Sequence, residues 1–326
     1  MRKRTLGKSG FQVSEIGLGC WQLGGDFGPV SDARSQDILA AADRGGIDFW
    51  DTADVYGGGA SETRIARYLE GRDTRPVVAT KVGRSPDLYP DGYRKNAVRA
   101  GIEASAQRLG VDCLDLVQLH CVPPEVLQAG DILAWMEDFR SEGLIRAMGA
   151  SVETLAEAQM VIAHPALTSL QIIFNMFRQD AASELFPAAQ EHRVGIIVRL
   201  PLASGVLSGK MRHGQTFDES DHRNYNRHGE AFSQGETFSG IAFDTAVDLV
   251  EEMRAWLPDG MSMAEMAMRW ILDHPAVTTV ITGASRPGQV TENAGVSDLP
   301  PLDPELHSRL SEFYRSRVAQ EIVVDI

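Results

Sequence analysis

The chain has 326 residues, 43% hydrophobic and 23% charged, the balance of an ordinary globular protein with a core of useful size. Lys and Arg number 31 against 45 Asp and Glu, a net charge of −14, which argues against broad contact with nucleic acid or an anionic membrane. Cys20, Cys113 and Cys121 show neither metal-site nor disulfide spacing, the basic start MRKRTLGKSG has no apolar run behind it to make a signal peptide, and no stretch approaches about 18 apolar residues, so a cytoplasmic protein is expected.

The opening Arg2–Glu15 carries Gly7 and Gly10 around a turn and reads as a hairpin. Thereafter short apolar or β-branched runs alternate with longer amphipathic stretches. Ile16–Gly19 is the first strand. Asp32–Arg44 reads as a helix, Ile47–Trp50 as a strand, and Ser61–Leu69 as a helix with Ser61 as its N-cap. Pro76–Thr80, Cys113–Leu119, Ile145–Gly149, Leu170–Ile173, Val194–Val198 and Val277–Ile281 read as the remaining strands. The helices among them fall over Arg94–Leu109, Asp131–Glu142 with Gly143 past its end, Val152–Ala163, Ser183–His192, Ala242–Trp256 and Ser262–Asp273. Gln289–Ala294 and Pro304–Arg315 close the chain.

Eight strands separated by helices predict parallel pairing and a single closed (β/α)8 barrel over residues 1–326, with the hairpin as a lid on its bottom. An open doubly wound sheet is the alternative. Against it, the first strand runs into GCWQLGGDFG, which has no G-x-G-x-x-G leading into a helix. Met211–Gly240 breaks the rhythm. It is polar, rich in His, Arg, Asn and Gly, and at about thirty residues is long enough to predict a functional loop.

In such barrels the reacting groups gather at the C-terminal strand ends. The second strand ends in Asp51 and continues Thr52-Ala53-Asp54-Val55-Tyr56-Gly57; the third ends in Lys81 and the fourth in His120. Taken singly, each has an ordinary structural role: a turn cap, a surface phenol, a solvated lysine, a satisfied histidine. Together they bring an acid, a phenol, an amine and an imidazole to one mouth.

This pattern resembles the aldo-keto reductase family, and the resemblance extends over nearly the whole chain. Asp51 to Gly57, Thr80-Lys81 and Leu119-His120 are similar to the family's catalytic tetrad in order and spacing. Gly149-Ala150-Ser151, Gln171 with Phe174-Asn175, Pro201-Leu202-Ala203-Ser204-Gly205, and Gly283-Ala284-Ser285-Arg286 with Gln289, Glu292 and Asn293 resemble its cofactor segments. The branch most similar is the bacterial, long-loop one that includes reductases like the potassium-channel β-subunits. The resemblance implies an NADPH-dependent reductase of aldehydes and ketones, working reversibly. Tyr56 would be the proton donor, Lys81 the cation that lowers the phenol's pKa, Asp51 the anchor of Lys81, and His120 the group that orients the carbonyl.

The turn before Gln289 leads into a helix start, a ready anion site. There Arg286 and Ser285 would take a 2′-phosphate with help from Gln289, while Glu292 and Asn293 meet the adenine, so NADPH is expected over NADH. Lys210 would lie near the pyrophosphate, and Arg223 or Arg227 could clamp the cofactor under the long loop. Cys20 beside Trp21, Val152 after Ser151, and Arg199-Leu200-Pro201 depart from the usual Thr, Asn or Arg, and aromatic-Ser-Pro. A guanidinium can stack in place of the aromatic ring, so Arg199 is expected against the nicotinamide, where its charge would repel the oxidised ring.

His213, His222 and His228 match no metal-ligand spacing, and no metal is expected. Trp21, Phe27 and Tyr89 are candidates for the substrate wall. The expected partner is a small carbonyl compound or sugar, with no nucleic acid or membrane, in a monomer or homo-oligomer. A second reading is a cofactor-binding redox sensor with slow turnover and a protein partner. A third, a Schiff-base aldolase using Lys81, is disfavoured because an adjacent Asp51 keeps the amine charged.

Overall fold

The computed structural model describes residues 1–25 and 27–324. Two strands, β1 (Lys3–Thr5) and β2 (Gln12–Ser14), pair antiparallel. Eight more form one closed parallel barrel: β3 (Ile16–Gly19), β4 (Phe49–Asp51), β5 (Val77–Val82), β6 (Leu114–His120), β7 (Ile145–Ser151), β8 (Leu167–Ile173), β9 (Gly195–Arg199) and β10 (Val277–Gly283). The open-sheet alternative is excluded because β10 pairs with both β9 and β3. Helices wrap the outside, and none among the described residues is long and apolar enough to cross a membrane.

Two apolar layers hold the fold. The larger lies between strands and helices, with Trp50, Phe139, Phe174 and Trp270 almost wholly buried. The smaller fills the barrel, where Phe49, Ala79, Leu116, Ala147, Ile197 and Ile281 meet Leu6 and Val13 of the hairpin. The hairpin is therefore the bottom lid. Its turn comes so close that a Cβ on Gly7 would stand 2.2 Å from the Thr168 carbonyl oxygen, at a backbone φ of +51° that already favours glycine.

Several element ends differ from expectation. The second helix begins at Ala60 behind Gly59 at φ +93°, so Ser61 is not its cap. Inside the first turn, Ser61 accepts from the Thr52 hydroxyl (2.8 Å) and donates to the Cys20 carbonyl (2.8 Å), tying the helix to two strand exits. The helix expected over 152–163 shrinks to Leu155–Val161. Thr154 and Glu157 form a capping box there, and the Val152 amide donates to the Gln171 carbonyl (3.0 Å) instead of entering the helix. The stretch 183–192 splits into Ala181–Glu184 and Phe186–Glu191, with Pro187 opening the second piece. The 211–240 segment contains one short helix, His222–Tyr225, and two tight turns, Gln234–Glu236 and Phe238–Gly240.

Candidate active site

Strand register assembles the mouth. Gly19 stands opposite Asp51 across β3 and β4; His120, Ser151 and Gln171 stand in one row across β6, β7 and β8; Ile173 faces Arg199 across β8 and β9. A parallel barrel brings strand ends level, so residues far apart in the chain share one rim.

The four expected groups come together there. Lys81 is fully buried, and its ammonium donates to Asp51 Oδ1, to the Thr52 carbonyl (2.9 Å) and to the Tyr56 hydroxyl oxygen (3.2 Å). Asp51 Oδ2 accepts from Gln171 Nε2 (2.7 Å) and Gln118 Nε2 (3.3 Å), and the Ser151 hydroxyl donates to Gln171 Oε1 (3.3 Å). One hydrogen-bonded row thus runs from Ser151 to Tyr56. The His120 ring stands edge-on to the Tyr56 ring with centroids 5.9 Å apart. His120 Nδ1 is buried without a partner among the described residues.

Electrostatics separates the roles of these groups. Burial opposes the charge of Lys81, but Asp51 and the Tyr56 oxygen outweigh it and raise its pKa. Burial, joined by the positive charges of Lys81, Arg84 and Arg199, holds His120 well below the usual imidazole range, so the ring stays neutral. Tyr56 departs from the expected lowered phenol. Burial pushes its pKa up to about 12, and Lys81 only partly offsets this. In this site the phenol keeps its proton at neutral pH.

Tyr56 and His120 open into a cavity of about 380 Å³. Near the phenol its wall is aromatic: Trp21 stacks on Tyr56 at 5.8 Å and Phe27 packs on Trp21 at 5.0 Å, while the buried His222, outside the lining, packs on Trp21 at 5.0 Å. Farther on the wall turns polar and cationic, with Lys210, Ser208, Ser285, Gln289 and Asn293. At that end Gln289 caps the helix Pro287–Gly295, accepting from the Ser285 amide (2.8 Å) and hydroxyl (3.1 Å). A Cβ on Gly283 would collide with Gln22, whose Oε1 is buried without a partner among the described residues. An aromatic, neutral end joined to a polar, cationic one suits an elongated ligand with a flat ring at one tip and anionic groups at the other.

Of the residues expected around a cofactor, Trp21, Asp51, Ser151, Gln171, Arg199, Pro201, Leu202, Gly205, Lys210, Gly283, Ser285, Gln289, Glu292 and Asn293 line this cavity. Cys20 and Ala203 are buried behind it. Arg286 is exposed and outside the lining, next to Ser285, with its Nη2 paired with Glu292 at 3.0 Å. Tyr89 is exposed and outside the lining. Arg223 lines the cavity with its guanidinium held by Asp221 (2.6 Å); Arg227 does not line it. His213, His222 and His228 do not converge: His213 pairs with Asp248 (2.7 Å), His222 is buried against Phe27 (4.4 Å), and His228 is exposed.

Arg199 does not stand as an uncompensated cation. It donates to the Val152 carbonyl (3.0 Å) and lies 3.3 Å from Glu236 Oε1, which also takes Arg84 at 3.4 Å; Arg84 in turn holds Glu153. Glu236 offsets the charge expected to repel an oxidised ring. Sequence reasoning missed this network, along with Gln22 in the lining. The only signal for Glu236 was its place in an overlong polar loop.

A family model described as "Aldo/keto reductase family" matches residues 15–315. A probable voltage-gated potassium channel subunit beta of Arabidopsis thaliana is 30% identical over 325 residues, covering 93% of this chain and 93% of that protein. The NADH-specific methylglyoxal reductase of Escherichia coli (strain K12) is 27% identical over 321 residues, covering 92% and 94%. Among solved structures, the holo form of an aldo-keto reductase from Bacillus halodurans superposes with a TM-score of 0.77 at 27% identity, covering 96% of each chain.

Proposed function

The chain belongs to the aldo/keto reductase family, and from that premise we propose that it is an NADP(H)-dependent oxidoreductase that reduces a small aldehyde or ketone to the alcohol, reversibly. The observation that carries this reading is the Tyr56 oxygen, bonded to the buried Lys81 ammonium at 3.2 Å beside a neutral His120, all at the head of a cavity that ends on a helix start. The nicotinamide, when bound, supplies the hydride. The chain's own residues do the rest. Tyr56 gives its proton to the oxygen that becomes the alcohol, and Lys81 stabilises the phenolate left behind. Asp51 holds Lys81 charged and in place. Neutral His120 donates to the carbonyl oxygen and fixes its direction.

A phenol pKa near 12 keeps Tyr56 in the form that reduction needs. The reverse oxidation needs phenolate, so its rate should climb into the alkaline range. Arg286, Ser285 and Gln289 support NADPH over NADH, because a guanidinium fork beside a hydroxyl suits a phosphate. The channel-subunit relative supports the second reading, a cofactor-holding sensor with slow turnover.

The deciding assay follows nicotinamide absorbance with NADPH or NADH and a panel of aldehydes, ketones and sugars. Oxidation of NADPH by several of them supports the reductase. Tight cofactor retention with negligible turnover on every one overturns it in favour of the sensor.

A further inference from the structure

Glu236 is the one acidic side chain of the 211–240 loop that lines the cavity, among the described residues, and it sits there only 6% exposed. Its Oε1 holds two guanidiniums, Arg199 at 3.3 Å and Arg84 at 3.4 Å. No described residue donates to its Oε2, and the side chain lines the cavity. Arg199 also reaches the Cys121 sulfur at 4.0 Å, and Cys121 directly follows His120. Glu236, Tyr56 and His120 line the same cavity.

We propose that Glu236 accepts a hydrogen bond from a hydroxyl of the substrate, so that the site is built for hydroxylated carbonyl compounds: hydroxyaldehydes, hydroxyketones and open-chain sugars. The proposal deepens the reductase reading and rests on it. Burial opposes the charge of Glu236, but Arg199 and Arg84 outweigh it and hold the carboxylate ionised. An entering substrate strips water from Oε2. An alkyl chain offers nothing in return and leaves a charged oxygen without a donor, whereas a hydroxyl replaces the lost water. The cluster does not call for an ionic substrate, since Arg84 and Arg199 balance Glu153 and Glu236. Nor does it call for a metal. Ligand atoms of Cys121, Glu153 and Glu236 lie within 4.8 Å of one another, yet Arg84 pairs with both carboxylates and Arg199 with Glu236, so two positive charges already stand there.

The test uses pairs of similar shape, hydroxyacetone against butanone and glyceraldehyde against butanal, and measures kcat/KM for each in the wild type, Glu236→Gln and Glu236→Leu. Intrinsic reactivity cancels between enzymes, so the change in the hydroxyl-to-alkyl ratio is the readout. The ratio should fall about ten-fold or more in Glu236→Leu, the discrimination that a charged hydrogen bond supplies. It should fall less in Glu236→Gln, which keeps a weaker acceptor. An unchanged ratio in the folded variants overturns the proposal. So does a wild type with no preference for the hydroxylated member, a result that needs no variant to fold. Reduction of alkyl and hydroxylated carbonyls alike removes this inference and leaves the reductase reading standing, whereas reduction of none removes both.

Discussion

Removing one charge of the Asp51–Lys81 pair should cost the fold more than removing both. The two side chains are 2% and 0% exposed, so neither ion can recover its hydration when its partner goes. In Lys81→Met the carboxylate keeps only the two glutamine amides; in Asp51→Asn the ammonium keeps the Thr52 carbonyl and the Tyr56 oxygen. A buried charge stripped of its partner costs about 3–5 kcal/mol, whereas replacing both ions by neutral groups of similar size is often close to neutral. In the double variant, the side-chain amide introduced at position 51 keeps an acceptor for one glutamine amide and the Thr52 carbonyl loses its donor, a loss of about 1–3 kcal/mol. Asp51→Asn/Lys81→Met should therefore be more stable than either single variant, while all three lose carbonyl turnover. Urea unfolding followed by tryptophan fluorescence, with matched slopes, measures the cycle. Single variants within about 1 kcal/mol of wild type, or a double variant less stable than both, would refute the buried-pair reasoning.

Tyr56→Phe should lower reduction by about 100-fold or more, the usual range for a lost proton donor, while cofactor binding by fluorescence titration stays within a few-fold; near-normal turnover would end the proton-donor assignment. Arg286→Ala should raise KM for NADPH by about ten-fold with little effect on NADH, and equal changes for both would mean that Arg286 meets no phosphate. Asp54 is a linkage test. Burial first, and the nearby Glu62 carboxylate second, push its pKa from 3.8 up to about 7. A raised folded-state pKa means stability that is full below the unfolded value and lost as pH climbs through the folded one. Relative to wild type, Asp54→Asn should therefore gain melting temperature between about pH 4 and pH 8, and a pH-independent difference would contradict the shift.

The eight-fold alternation of strand and helix was legible from periodicity alone, as were the hairpin lid and the overlong loop. The helix Asp32–Arg44 matches the expected range to the residue, with Ser31 capping its start and Gly45 following its end. Where local signals competed, tertiary pairing won. β7 extended to Ser151 because His120 and Gln171 stood on either side to pair with it, and the helix that follows starts only after the Thr154–Glu157 capping box. The four reacting groups were visible as strand-end residues, since one short motif carries two of them and the barrel brings the other two alongside.

What the chain's order of residues determined by itself is the set of groups at the mouth and the scaffold that gathers them. What the three-dimensional arrangement alone decided is their electrical state. The phenol was expected to be acidified by Lys81, yet packing of Trp21 and neighbouring side chains around the ring raises its pKa instead. Arg199 was expected to act as a bare cation, yet Glu236, 37 residues farther along the chain, neutralises it. Desolvation and long-range ion pairing depend on what surrounds a group in space, and no local pattern of residues encodes that.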